Sequence, residues 1–91
     1  MDKENIYKIT GSVQGVFFRA EAKKIAEELG IKGYAKNEPD GSLTIVAQGN
    51  DNSIKKLEEW CWEGPPGAHV EDIQKKIRPI EKKYQNFEII Y

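Results

Sequence analysis

The chain has 91 residues, 38% of them hydrophobic, and its 14 basic and 15 acidic side chains give a formal net charge of -1. This length fits one small domain over residues 1–91, and the near-neutral charge argues against a protein that holds nucleic acid electrostatically. A single cysteine and a single histidine exclude an internal disulfide and a multi-cysteine zinc site. Because no apolar run approaches the roughly 20 residues of a membrane span, and no signal-peptide pattern begins the chain, we expect a cytoplasmic protein without membrane contact.

The first predicted elements are a strand and a helix joined by a short loop. Apolar and polar residues alternate from Tyr7 to Val13, which is typical of a half-buried strand. A helix follows from Phe18, because apolar residues recur along one helical face as far as Leu29. Gly30 is placed to end that helix in a left-handed conformation.

The rest of the chain predicts a hairpin, a second helix and two further strands. Residues 31–37 and 43–47 have strand patterns on either side of a Pro-Asp-Gly turn, and residues 49–53 offer several N-caps for the second helix. Residues 64–67, Gly-Pro-Pro-Gly, end this helix, and residues 70–91 contain two strands. The order β-α-β-β-α-β plus a short C-terminal strand predicts an α+β, ferredoxin-like two-layer sandwich. Its two helices are expected on one face of a mostly antiparallel sheet.

The loop between the first strand and the first helix carries the strongest chemical signal. Gly15 permits a backbone conformation, or a close approach, that a Cβ would obstruct, and the N–H groups that begin a helix favour an anion such as phosphate. Arg19 lies in the first helical turn, where the helix dipole disfavours a cation unless an anion is bound between them. Taken alone, the loop is compatible with a phosphate site and with a plain turn that carries a surface arginine.

Two segments of the chain resemble the signatures of one enzyme family. Residues 11–19, Gly-Ser-Val-Gln-Gly-Val-Phe-Phe-Arg, resemble the acylphosphatase signature Gly-x-Val-Gln-Gly-Val-x-Phe/Tyr-Arg. Residues 33–43 look like the second signature of that family, and residues 64–70 are similar to a weaker segment. The resemblance covers essentially the whole chain, and the family has the ferredoxin-like fold that the periodicity predicts. Ser12 stands where the family often has a basic residue, and Tyr34 stands where it often has a tryptophan. These two differences affect the contacts beside the substrate and not the reaction itself.

The resemblance implies an enzyme that hydrolyses the carboxyl–phosphate bond of small acyl phosphates to a carboxylate and inorganic phosphate. It implies that Arg19 and the loop hold the phosphoryl group and that Asn37 orients the attacking water. The carboxylate departs as an anion, because its conjugate acid has a pKa of about 4, so no general acid is required. The implied phosphate-binding loop consists of Gln14, Gly15, Val16, Phe17, Phe18 and Arg19.

The same resemblance implies a metal-independent hydrolase with no cofactor, and no cluster of His and Cys residues or of carboxylates accompanies the motif in the sequence. The expected partners are a small acyl phosphate and inorganic phosphate, without nucleic acid or membrane, and the charged surface favours a monomer. We expect Phe17 and Phe18 to pack the helix and to line the pocket.

Two other functions stay open. Residues 32–35, Lys-Gly-Tyr-Ala, begin like the RNP1 string of the RNA-recognition motif, a non-enzymatic RNA-binding module with the same ferredoxin-like order of elements. That match breaks at Lys36 and Asn37, where Phe and Val belong, so the stacking aromatic side chains are missing. The other alternative is an acylphosphatase-like regulatory or carbamoyl-phosphate-handling module inside a larger protein. The short length and the pair of Arg19 and Asn37 favour an independent enzyme.

Overall fold

The computed structural model describes residues 3–91 and contains a five-stranded sheet and two helices. The elements in chain order are β1 Lys3–Ser12, α1 Phe18–Glu28, β2 Lys32–Asn37, β3 Leu43–Gln48, α2 Asp51–Glu63, β4 His69–Pro79 and β5 Phe87–Ile90. The strands lie in the order β4-β1-β3-β2-β5, and all neighbouring pairs are antiparallel except β2 and β5, which are parallel. This architecture confirms the predicted ferredoxin-like α+β fold.

The hydrophobic core lies between the helices and the sheet. The helical residues buried there are Phe18, Ala22 and Ala26 of α1 and Ile54, Leu57 and Cys61 of α2. They form one cluster with alternate strand residues such as Tyr7, Ile9 and Ile45. Full burial of a large apolar side chain stabilises a fold by about 1.5–3 kcal/mol, so the two apolar helix stripes hold both helices on the sheet. Neither helix within residues 3–91 has the length and apolar character needed to cross a membrane.

Strand β1 begins earlier than the alternation from Tyr7 predicts. It pairs with β3 on one side and with β4 on the other from its first residues onward. Glu4 is only 2% exposed there, and its carboxylate accepts hydrogen bonds from Arg78 Nε and from Gln48 Nε2. An ion pair and a hydrogen bond make a charged side chain compatible with a buried position, which hides this part of the strand from a hydropathy pattern.

Strand β5 brings the end of the chain beside the first helix. It pairs in parallel with β2, with Gly33 opposite Phe87 and Lys36 opposite Ile90. Helix α1 packs against both of these strands. The residues that follow β5 therefore lie close to the start of α1 and to the end of β2.

Candidate active site

A cavity of about 270 Å³ opens where the loop before α1, the end of β2 and the end of the chain meet. Arg19 and Asn37, which sequence reasoning singled out separately, both line it. The full lining consists of Val13, Gly15, Phe17, Phe18, Arg19, Ala20, Asn37, Ile89 and Tyr91. The fold therefore brings the glycine loop and the end of β2 to one concave site.

The loop reaches this cavity through two residues with positive φ. Gly15 has φ +77, and a Cβ built on it would meet no atom within 4 Å, so backbone conformation rather than space explains a glycine there. Phe17 has φ 64 and ψ 24, is the N-cap of α1, and makes no capping hydrogen bond with its side chain. Its carbonyl accepts the first helical hydrogen bond, from Glu21 N at 3.0 Å. The backbone N–H groups at the start of α1 are thus free of a side-chain cap beside the cavity.

Gln14 and Val16, two members of the predicted phosphate-binding loop, are not among the residues that line the cavity. Gln14 Nε2 donates hydrogen bonds to the carbonyl oxygens of Glu38 at 2.8 Å and Ser42 at 3.0 Å. Val16 is partly buried and packs against the core. Both side chains therefore anchor the loop, whereas Gly15, Phe17, Phe18 and Arg19 face the cavity.

Asn37 is the last residue of β2 and lies opposite Leu43 across the hairpin. The turn behind it is braced by Asp40, whose Oδ1 accepts from Ser42 N at 3.0 Å and from Ser42 Oγ at 2.6 Å. These hydrogen bonds, together with Lys8 Nζ at 3.3 Å from Oδ2, lower the pKa of the Asp40 carboxyl to about 2. The turn that follows Asn37 is thus fixed by hydrogen bonds that Gln14 donates to it and by those that Asp40 accepts within it.

Arg19 is held by the end of the chain. Its Nη1 donates to the Ile90 carbonyl at 3.1 Å, and its Cζ lies 4.8 Å from the centre of the Tyr91 ring, a cation–π distance. Sequence reasoning missed this contact, as it missed that Ile89 and Tyr91 line the cavity. The alternation of Phe87, Ile89 and Tyr91 predicts a strand, but no local pattern indicates which strand it joins.

The two phenylalanines of the loop differ in environment. Phe18 is 2% exposed and packs edge-on against Trp60, with ring centres 5.2 Å apart, as expected of a residue that packs the helix. Phe17 is 81% exposed and does not belong to the hydrophobic core cluster. It lines the cavity, so of the two roles expected for it only that of pocket wall agrees with its position.

Comparisons with known proteins agree with the sequence motifs. The acylphosphatase family model matches residues 6–89. An acylphosphatase of Marinobacter nauticus is 40% identical over 79 residues, which are 87% of this chain and 86% of that protein. The crystal structure of acylphosphatase from Bacillus subtilis superimposes with a TM-score of 0.93 at 29% identity, over 98% of this chain and 99% of that one. Full-length HypF in its phosphate- and nucleotide-bound form gives a TM-score of 0.90 at 27% identity, over 100% of this chain and 12% of that one.

Proposed function

Because the chain belongs to the acylphosphatase family, we propose that it hydrolyses small acyl phosphates to a carboxylate and inorganic phosphate. The observation that carries this proposal is the shared cavity of Arg19, Asn37 and the uncapped start of α1. A guanidinium and free backbone N–H groups are donors suited to a phosphoryl group, and an amide beside them is suited to a water molecule.

In the proposed mechanism the phosphoryl oxygens bind to the backbone N–H groups between Gly15 and Arg19 and to the Arg19 guanidinium. These donors stabilise the negative charge that the transferring group spreads over its oxygens. The hydrogen bond to Ile90 and the Tyr91 ring support this role, because they hold the guanidinium in one orientation before substrate binds.

Asn37 orients the nucleophile in this mechanism. Its amide can hold a water molecule but cannot accept the proton, so we assign the proton to an oxygen of the substrate phosphate. The water oxygen forms the new bond to phosphorus as the bond from phosphorus to the carboxyl oxygen breaks, and the bonding electrons leave with the carboxylate. Since that carboxylate is a weak base, with a conjugate-acid pKa of about 4, it needs no proton on departure.

These roles are filled by side chains and backbone of the chain itself, so we propose that turnover needs neither a metal nor a cofactor. The test is release of phosphate from acetyl phosphate and benzoyl phosphate, with and without EDTA. We expect hydrolysis of both substrates at rates that EDTA leaves unchanged. Absence of phosphate release would contradict the proposed function, and loss of activity in EDTA would contradict its metal independence.

We propose that the protein is cytoplasmic and monomeric and that its partners are small molecules rather than RNA. Tyr34, the aromatic residue that the RNA alternative needs, packs edge-on against Tyr84, with ring centres 5.6 Å apart. That contact supports a structural role for its ring. Filter binding at low and physiological salt tests the alternative: a sub-micromolar RNA complex that survives physiological salt and weakens in Tyr34→Ala would favour it.

The likeness to a stretch that makes up 12% of full-length HypF supports a second candidate, in which this fold serves as a module inside a larger protein. Carbamoyl phosphate is the substrate that the family resemblance suggests for such a module. The same donors would bind the phosphoryl group of either substrate. The two candidates separate in one assay of the 91-residue chain on acetyl, benzoyl and carbamoyl phosphate. If the isolated chain hydrolyses acetyl and benzoyl phosphate, the independent enzyme is favoured. If it hydrolyses carbamoyl phosphate and neither of the other two, the module is favoured.

A further inference from the structure

Phe17 is an unusual residue for its position. Among residues 3–91 it is the only residue other than glycine with a positive φ. A bulky side chain in the left-handed region lowers the stability of the fold, and strain of this kind clusters at functional sites. Its ring is 81% exposed, so burial of the side chain does not offset that strain.

The neighbouring Phe18 makes the contrast clear. Both residues line the cavity that contains Arg19 and Asn37, but the Phe18 ring is buried against Trp60, whereas Phe17 is 81% exposed. The fold therefore uses one aromatic ring of the pair for the core and leaves the other at the candidate active site.

The cavity has apolar as well as polar walls. Ile89 and Tyr91 line it together with Phe17, and Tyr91 is 93% exposed. The Arg19 guanidinium lies 4.8 Å from the centre of the Tyr91 ring and Phe18 packs against Trp60, so among the described residues that line the cavity Phe17 is the aromatic residue without a contact to another ring or a cation. A volume of about 270 Å³ is just below the roughly 300 Å³ at which pockets for small molecules begin, so the ligand is small.

We propose that Phe17 determines the acyl-group specificity of the site by packing against an aromatic acyl group. The preferred substrates would then be aroyl phosphates, with the phosphoryl group at Arg19 and the aromatic ring against Phe17. This inference rests on the proposed function and adds to it the class of acyl group. Aromatic rings pack favourably in offset or edge-on geometry, which an acetyl group cannot reproduce.

The test compares benzoyl phosphate with acetyl phosphate, because both present the same phosphoryl group. In Phe17→Ala we expect the ratio of kcat/KM for benzoyl phosphate to that for acetyl phosphate to fall about 3- to 10-fold, mainly through a higher KM for benzoyl phosphate. Phe17→Tyr keeps a ring and is expected to keep the ratio. Trp62→Ala is the matched control, since Trp62 is another exposed aromatic residue, 49% exposed, but does not line the cavity.

An unchanged ratio in Phe17→Ala would overturn the proposal. So would an equal loss for both substrates, because it would show that the substitution disturbs the backbone of the loop. A changed ratio in Trp62→Ala would also overturn it, since the preference would then not belong to the cavity.

A binding measurement separates this inference from the proposed function. Calorimetry with phenacylphosphonate and acetonylphosphonate, in which a methylene replaces the bridging oxygen, requires no turnover. We expect the wild-type chain to bind the phenacyl compound more tightly and Phe17→Ala to lose that preference. Equal affinities in the wild type would overturn the inference even if both acyl phosphates are hydrolysed. Absence of hydrolysis with the preference intact would contradict only the proposed function.

Discussion

The two helices begin in different ways. Helix α2 follows Asn50, which has extended backbone and accepts a hydrogen bond from Ser53 N at 2.8 Å, and its first turn carries Asp51. Helix α1 follows Phe17, which is left-handed and makes no side-chain cap, and its first turn carries the cation Arg19 beside the acidic Glu21. The α2 arrangement satisfies a helix N–H group with a side chain, whereas the α1 arrangement leaves the helix start without a side-chain cap and places a cation at the positive end of the helix dipole. The comparison teaches that the start of α2 is arranged for folding and that the start of α1 fits the binding of an anion.

The largest expected effect comes from removing the cation at the start of α1. Arg19→Ala should lower kcat/KM for acyl phosphates by about 10³-fold or more, as arginines do that stabilise transferring phosphoryl groups. It should also weaken inhibition by inorganic phosphate. Arg19→Lys should restore little activity, because a point charge does not reproduce the planar fork of the guanidinium. Near-wild-type hydrolysis by Arg19→Ala would remove Arg19 from the proposed site.

The next effect separates positioning of the water from binding of the phosphate. Asn37→Ala should lower kcat by about 10²–10³-fold, by analogy with the loss of one oriented donor, and should change the inhibition constant for phosphate much less. Asn37→Asp keeps the size but adds a charge that repels the phosphoryl group, so it should also weaken substrate binding. A modest fall in melting temperature with kcat retained would instead make Asn37 a turn residue. Kinetics and thermal unfolding on the same preparation decide between the two.

Removal of the side-chain cap of α2 should lower the stability of the fold and leave the activity unchanged. Asn50→Ala removes the acceptor for Ser53 N, and we expect the free energy of unfolding to fall by about 1 kcal/mol. Urea unfolding measures this loss, and the kcat for acetyl phosphate should stay at the wild-type value. A loss of activity in the folded variant would show that the two helix starts are not independent.

A substitution at the uncapped start of α1 should raise the free energy of unfolding, whereas Asn50→Ala lowers it. Phe17→Asn places a residue that tolerates positive φ at the strained position, so we expect the free energy of unfolding to rise by about 0.5–1 kcal/mol. Urea unfolding beside Asn50→Ala makes the comparison direct. A clear loss of stability would mean that the exposed Phe17 ring contributes to folding after all.

The smallest expected effect is on the stability of the fold in acid, where the Asp40 carboxylate becomes protonated. The pKa of Asp40 is lowered to about 2 by Ser42 and Lys8, below its value of roughly 3.9 in an unfolded chain. Its contribution to stability is therefore complete above pH 4 and is lost as the pH falls from about 4 to about 2. The Asn50 cap of α2 is an amide and does not titrate there. Thermal unfolding of Asp40→Asn across this range should show a weaker pH dependence than the wild type; an identical pH dependence would exclude the Asp40 contacts as its source.

Local patterns were sufficient for most of the fold. The start of α1 at Phe18 and the left-handed Gly30, at φ +72, follow from helix periodicity and glycine conformation, and both are confirmed. The cap at Asn50, which accepts a hydrogen bond from Ser53 N, is one of several that residues 49–53 offered, and the sequence pattern alone does not select among them. The hydropathy pattern does not predict the start of β1, where the charged Glu4 is buried. Its charge is compensated by Arg78, which is distant in sequence, so no local pattern indicates the pairing.

The candidate site was less accessible to prediction. Family motifs indicated Arg19 and Asn37, but the parallel pairing of β2 with β5, which brings Tyr91 to Arg19, depends on contacts between distant segments. The left-handed conformation of Phe17 contradicts the propensity of its residue type, so no sequence rule would assign it. Both features lie at the cavity, where local propensity and structure are expected to disagree.

A single amide links the two halves of the candidate site. Gln14 Nε2 donates both to the Glu38 carbonyl, directly after Asn37, and to the Ser42 carbonyl across the turn, so these hydrogen bonds couple displacement of the loop to displacement of the strand end. If the loop holds the phosphorus atom and Asn37 holds the attacking oxygen, as proposed, this coupling limits the variation in the distance between those two atoms. Because reaction rates depend steeply on that distance, the coupling favours a constant approach of the reactants even when the site as a whole moves.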